Sequence, residues 1–241
     1  YYVLGTVVAY AIVKAFKFKP KAQWGVYIAA MVATNNGFMG FPVTQAIFGA
    51  DLFYLLVMLN IPTCVFFYGI MPMILNIGRE NSSGNWESNL KAMLNPAMVG
   101  ISVGIVFMAF GYKPPESIDV VVKYLSDATV PLSMIIVGVQ LGSSNLLEII
   151  KDKYVNLTSI FAMLLIPFLT FLSVHFLPFL NGDVKLVVIF SSVFPTAVVT
   201  AALAFQQKIE GTKAAEIVSI TTAMSLITIP ISAALLTHLY L

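Results

Sequence analysis

The chain has 241 residues, 59% hydrophobic and 10% charged, with mean hydropathy +0.91 and formal net charge +2. A soluble domain carries about 25% charged residues, so these values exclude a water-soluble globule, and the small net charge leaves no basic surface for nucleic acid. The single cysteine, Cys64, excludes an internal disulfide, and no Cys/His cluster has metal-ligand spacing.

A run of roughly 20 apolar residues crosses a bilayer, and eight apolar segments follow one another along the chain. The fold class expected is an all-α polytopic membrane protein. The first segment, 1–16, opens directly in apolar sequence without a Met or a charged leader, so the chain reads as a fragment. The second is 24–49 and the third 52–77. The polar stretch 78–91, GRENSSGNWESNLK, is the one convincing linker and reads as cytoplasmic. The fourth segment is 92–112. An amphipathic stretch, 114–126, reads as an interfacial lead-in to the fifth, 127–143, with Asp127 read as its helix N-cap in preference to a borderline coupling carboxylate at the outer end of that segment. The last three are 154–180, 184–206 and 214–240.

Basic residues test this map. Ten fall on one side of the membrane (Lys14, Lys17, Lys19, Lys21, Arg79, Lys91, Lys151, Lys153, Lys208, Lys213) and three on the other (Lys113, Lys123, Lys185). The positive-inside rule makes the first side cytoplasmic and puts the C-terminus outside. A weak internal repeat accompanies the map. A Phe-Pro segment (GFPVT, then VFPTA) precedes an Ile-Pro segment (LNIPT, then ITIPI) in both halves, with opposite orientation. Five segments follow the linker and three precede it, so two helices are expected ahead of Tyr1 and about ten in the intact protein.

The second segment contains TNNGFMGFPVT, 34–44, which suits no continuous helix in lipid. Pro42 has no backbone N–H. Gly37 and Gly40 permit unwound backbone, while Asn35 and Asn36 each bring a carboxamide. Backbone freed from its helix at membrane depth is tolerated only where protein or a cavity satisfies it. Matching breaks in inverted repeats point to a transporter's binding site. Pro42 suits the first position of a new half-helix, whose N–H groups and positive dipole attract anions. In the seventh segment Pro195 plays the matching role, with Ser191 and Ser192 before it and Thr196 after it. The competing reading of Gly-x-x-Gly is a helix-packing notch. Pro62, Pro131 and Pro230 read as kinks.

At these residues the sequence resembles the auxin efflux carrier family, which includes bacterial malate-permease-like proteins and plant auxin exporters. The matching stretches are TNNGFMGFPV (34–43), NPAMVGISVG (95–104), DATVPLSMIIVGVQLG (127–142) and FPTAVVTAALAFQ (194–206). The resemblance implies two inverted five-helix repeats whose broken helices, here 24–49 and 184–206, cross. It implies that 1–77 and 144–241 contribute to a moving transport domain, and that 92–143 belongs to a scaffold that forms a homodimer. It also implies a small organic anion as substrate, a dicarboxylate or an auxin-like carboxylate, held by Asn35 or Asn36, Pro42 and Pro195. The expected location is a bacterial plasma membrane. Asn36 stands where the family commonly has a smaller residue, which leaves open which asparagine faces the ligand.

All eleven acids lie in connections or at segment ends, so no intramembrane carboxylate marks a coupling site, and proton or sodium coupling stays open. His175 reads as interfacial. An intramembrane enzyme needs a catalytic set within the segments; none is visible, and no cofactor is called for. Two alternatives to an organic-anion carrier remain: a sodium-coupled carrier like the bile-acid symporters, and a non-transporting sensor on the same scaffold.

Overall fold

The computed structural model describes residues 1–79, 96–209 and 211–241. Among them the regular structure is helical. The helices are α1 (Tyr2–Ala15), α2 (Trp24–Val32), α3 (Phe41–Val65), α4 (Met71–Leu75), α5 (Pro96–Ala109) and α6 (Glu116–Gly142). They continue as α7 (Leu146–Ile149), α8 (Lys153–Ile160), α9 (Ile166–His175), α10 (Gly182–Val193), α11 (Val199–Gln206) and α12 (Thr212–Tyr240). Apart from Gly78 and Arg79, the linker stretch lies outside the described residues.

Three wide π-turns, Asn36–Gly40, Phe66–Ile70 and Phe161–Leu165, lead into α3, α4 and α9. Each closes with an N–H bonding five residues back: Phe41 to Asn36, Met71 to Phe66, and Ile166 to Phe161. In each case a proline follows at once: Pro42, Pro72, Pro167. Proline donates no hydrogen bond and its ring crowds the preceding turn. Widening that turn by one residue lets the chain carry the proline without ending the helix. Pro62, Pro131 and Pro230 instead lie inside α3, α6 and α12.

Among the described residues, four stretches are long and apolar enough to cross a membrane: Asn36–Leu75, Glu116–Val139, Lys153–His175 and Thr212–Tyr240. At 1.5 Å per residue the first would measure about 60 Å, twice a bilayer's core. Gly49, with φ 81° and ψ −170°, divides it by leaving helical geometry inside α3. That φ is costly for any residue with a Cβ. The stretch 114–126 is not a separate interfacial element. It runs into the following segment as one helix, α6, across Pro131. Asp127 therefore lies in the helix interior and is no N-cap; the capping position is Pro115. The helix forms through because Glu116 and Asp119 favour its first turn, which moves the start well upstream.

The centre of the molecule is α2. Eight of its residues, Gly25 to Val32, are buried, as a helix apolar on all sides must be. It packs against α1, α4, α8, α11 and α12. A Cβ on Gly25 would lie 2.3 Å from the Leu75 carbonyl oxygen, so only glycine admits this approach of α2 to α4. A second cluster joins α3, α10 and α12 through Leu52, Leu56, Leu186, Phe190, Phe194 and Ile229. On α5 and α6 large apolar side chains face outward, among them Val103, Phe107, Leu125 and Ile135. A broad apolar exterior of this kind is what a membrane solvates. Beside the ends of α8 and α12, Lys213 bridges Asp152 (2.9 Å) and Glu216 (2.7 Å).

Candidate functional site: two paired helix breaks

The first break comes where α2 ends at Val32, before the π-turn begins at Asn36. Helical structure thus resumes six residues ahead of Pro42, which does not open the half-helix; it sits one turn in, just after the π-turn. Asn35 does the opening. Its Oδ1 accepts the Phe38 N–H at 3.3 Å, and its carbonyl accepts the Met39 and Gly40 N–H groups at 3.2 and 3.0 Å. An asparagine cap of this kind satisfies donors that a new helix leaves open. In the seventh segment α10 ends at Val193 and α11 starts at Val199, with Pro195 inside the gap.

The two gaps pair with each other. Asn35 N–H donates to the Pro195 carbonyl at 2.8 Å, and Ala197 N–H donates to the Ala33 carbonyl at 2.7 Å. Thr34 and Thr196 thereby face each other as an isolated antiparallel bridge, flanked by its hydrogen bonds. The Thr196 hydroxyl donates to the Ala30 carbonyl at 2.8 Å, and its N–H donates to Thr221 Oγ1 on α12 at 3.1 Å. Tyr1 donates through its hydroxyl to the Val32 carbonyl at 3.3 Å. Gly40 lies against the Phe194 ring, which a Cβ there would approach to 3.0 Å. Backbone that sequence alone marks as unsatisfied at membrane depth is thus largely satisfied by the opposite break.

These bonds are uneven in kind. The carbonyls that end α2 are taken up by Thr196, Tyr1 and Ala197. The amides of Gly37, Val198 and Val199, at the starts of the following half-helices, take no part in them. A Cβ at Gly37 would meet nothing within 4 Å, so there is open space beside this residue.

Five buried side-chain atoms on the broken segments have no hydrogen-bond partner: Thr34 Oγ1, Asn35 Nδ2, Asn36 Oδ1, Thr44 Oγ1 and Thr200 Oγ1. Thr34, Asn35 and Asn36 are 5%, 4% and 3% exposed, and Thr44 and Thr200 0%. Leaving a buried polar group unpaired costs about 1–3 kcal/mol. The Phe38 N–H can only donate, which identifies the Asn35 atom facing it as oxygen and leaves the amide end free.

The structure therefore brings Asn35, Asn36, Gly37, Gly40, Pro195 and Thr196 together around one junction. Pro42 stands a turn away. Ser191 and Ser192 lie in the last turns of α10, and their hydroxyls donate to Val188 and Ile189 carbonyls at 2.7 and 2.6 Å. Their protons serve their own helix. Thr44, Thr200 and Thr221 were not singled out from sequence. The available signal was their spacing: Thr44 and Thr200 each fall soon after a break, and Thr221 begins a hydroxyl-bearing face on α12. His175, at the end of α9, pairs through Nδ1 with the Tyr240 hydroxyl at 2.6 Å.

An all-helical chain with spans long enough for a bilayer, and with broken helices paired inside it, belongs among integral membrane transporters. Comparison with known proteins agrees. Residues 1–233 match the family described as Membrane transport protein, and the chain belongs to that family, which contains the auxin efflux carriers. An uncharacterized transporter of Methanothermobacter thermautotrophicus is 27% identical over 209 residues, covering 86% of this chain and 66% of the relative. An uncharacterized transporter of Methanocaldococcus jannaschii is 28% identical over 229 residues, covering 92% and 72%. The chain thus spans about two thirds of the length of the first relative.

Proposed function

We propose that the protein is a secondary transporter for small organic anions, which it holds where the two breaks pair. The observation that carries this reading is the unpartnered pair Asn35 Nδ2 and Asn36 Oδ1, buried at the junction. A buried donor and acceptor left open beside closed carbonyls suit a ligand bearing a carboxylate together with an O–H or N–H group. The Asn35 amide donates to the carboxylate, and the positive ends of the half-helices favour its charge. Asn36 Oδ1 accepts from the ligand's own donor. Malate and indole-acetate both fit that description. The mutual pairing of residues 33–35 with 195–197 supports crossed helices and the inverted repeat behind them.

On this reading eight of ten helices are present, ordered as the basic residues indicate, with the C-terminus outside. Residues 1–77 and 144–241 form most of the moving body and 92–143 the scaffold, through which two copies associate. α6, a scaffold helix, packs against the Asn36–Gly40 turn, so movement of one body past the other would carry the site across the membrane.

The test is counterflow of labelled malate and indole-acetate into proteoliposomes containing the full-length protein. Saturable exchange of either, reduced about tenfold by Asn35→Ala or Asn36→Ala with membrane insertion intact, is expected from the loss of one or two hydrogen bonds to a charged ligand. Parental exchange by both variants would remove the asparagines from the site.

A further inference from the structure

We infer that α12 forms a third wall of this site and that the Thr228 hydroxyl donates a hydrogen bond to the carboxylate substrate there, an inference that rests on the anion-carrier reading above. Thr221, Ser225 and Thr228 lie at i, i+4 and i+7, so they share one face of α12. Thr221 Oγ1 accepts the Thr196 N–H of the second break at 3.1 Å. One turn on, Ser225 Oγ lies 3.8 Å from Met39 Sδ, in the π-turn of the first break. This face of α12 therefore touches both breaks, and Thr228 comes next along it.

Thr228 differs from four other hydroxyls of its helix. Ser219, Thr221, Ser225 and Thr237 each donate to a carbonyl three or four residues back, at 2.9, 2.7, 2.7 and 2.8 Å. Back-bonding of this kind is the usual resting place of a hydroxyl in a helix. Thr228 Oγ1 makes no such bond and is buried without any partner. Two further unpaired groups, Asn35 Nδ2 and Asn36 Oδ1, belong to the break that Ser225 touches, on residues 4% and 3% exposed. A free donor on α12 and a free donor on Asn35 are what a carboxylate's two oxygens require.

The test compares Thr228→Val, which keeps the shape and removes the hydroxyl, with Thr228→Ser, which keeps the hydroxyl. Full-length protein is reconstituted, and counterflow is measured with whichever of malate and indole-acetate the parent exchanges. Thr228→Val should raise the half-saturating concentration about tenfold, the size of one hydrogen bond to a charged group, while Thr228→Ser stays near the parent. Without substrate, the melting midpoint of Thr228→Val should equal or exceed the parent's, because an unpaired hydroxyl has been removed. A parental half-saturation in Thr228→Val, or a lowered melting midpoint, would overturn the assignment. Asn35→Asp separates the two levels. If it abolishes exchange while Thr228→Val is silent, α12 is no part of the site but the breaks are; if both are silent, both readings fall.

Discussion

Asn35 does two things with one side chain. Its oxygen caps the half-helix that follows the break, and its amide is left over, buried and unpaired. Asn35→Asp preserves the cap and replaces the free donor with an acceptor bearing negative charge. The substitution should leave the fold in place and abolish anion exchange, whereas Asn35→Ala should only weaken it. Thr221 and Thr228 show where sequence stops being informative at this scale. Both are threonines on the same face of the same helix, and only the structure shows that one is engaged and the other is not. At the α8–α12 ion pair, burial pushes the Asp152 carboxyl up, but the Lys213 ammonium and the Val155 and Tyr154 amides outweigh it and hold it below its ordinary value. A depressed carboxylate contributes stability above its unfolded value, 3.8, and that contribution fades as pH falls through the lower folded value. Melting of the detergent-solubilised protein should therefore soften below about pH 4. Asp152→Asn should remove that part of the acid sensitivity and cost under about 1 kcal/mol at neutral pH, since the pair is partly solvated.

Among the elements, the π-turns and glycines decide where helices bend and where they end. Sequence marks Pro42 and Pro195 equally as breakers, yet their effects differ. Pro195 lies in a true gap, while Pro42 is absorbed by the widened turn ahead of it, as are Pro72 and Pro167. The gap in the second segment comes earlier, at residues 33–35, and owes more to the Asn35 cap and the pairing with the opposite break than to proline. A pairing between residues 160 positions apart leaves no local trace in sequence. The same holds for α6, whose interior contains Pro131 and Asp127 because the upstream acids start the helix first. Position 49 is different: a glycine between two apolar runs was legible as a boundary, and its φ of 81° explains why it must be glycine. Gly25→Ala should destabilise the protein by about 1–3 kcal/mol, the usual cost of overpacking, because the clash is with the Leu75 backbone carbonyl, which has little room to yield. A melting midpoint equal to the parent's would show that α2 and α4 are not packed as described.

For the whole molecule, composition and hydropathy were enough to place the chain in a membrane, and the motif at 34–43 was enough to place it in its family. Neither shows what makes the middle of the protein selective. The proposed selectivity would rest on an asymmetry visible only when both halves are assembled: the carbonyls that end α2 are taken up by Thr196, Tyr1 and Ala197, whereas the amides of Gly37, Val198 and Val199 take no part in that pairing. On the proposed reading such a site would favour negative charge and offer little to a bare cation. The central claim is that the paired breaks bind a small carboxylate through Asn35. The most direct measurement is equilibrium binding of labelled malate and indole-acetate to purified full-length protein, parent against Asn35→Asp, with folding of both checked by melting. Saturable binding of at least one ligand to the parent, lost in the folded variant, is the predicted result. Equal binding to parent and variant, or none of either ligand to a folded parent, would contradict it.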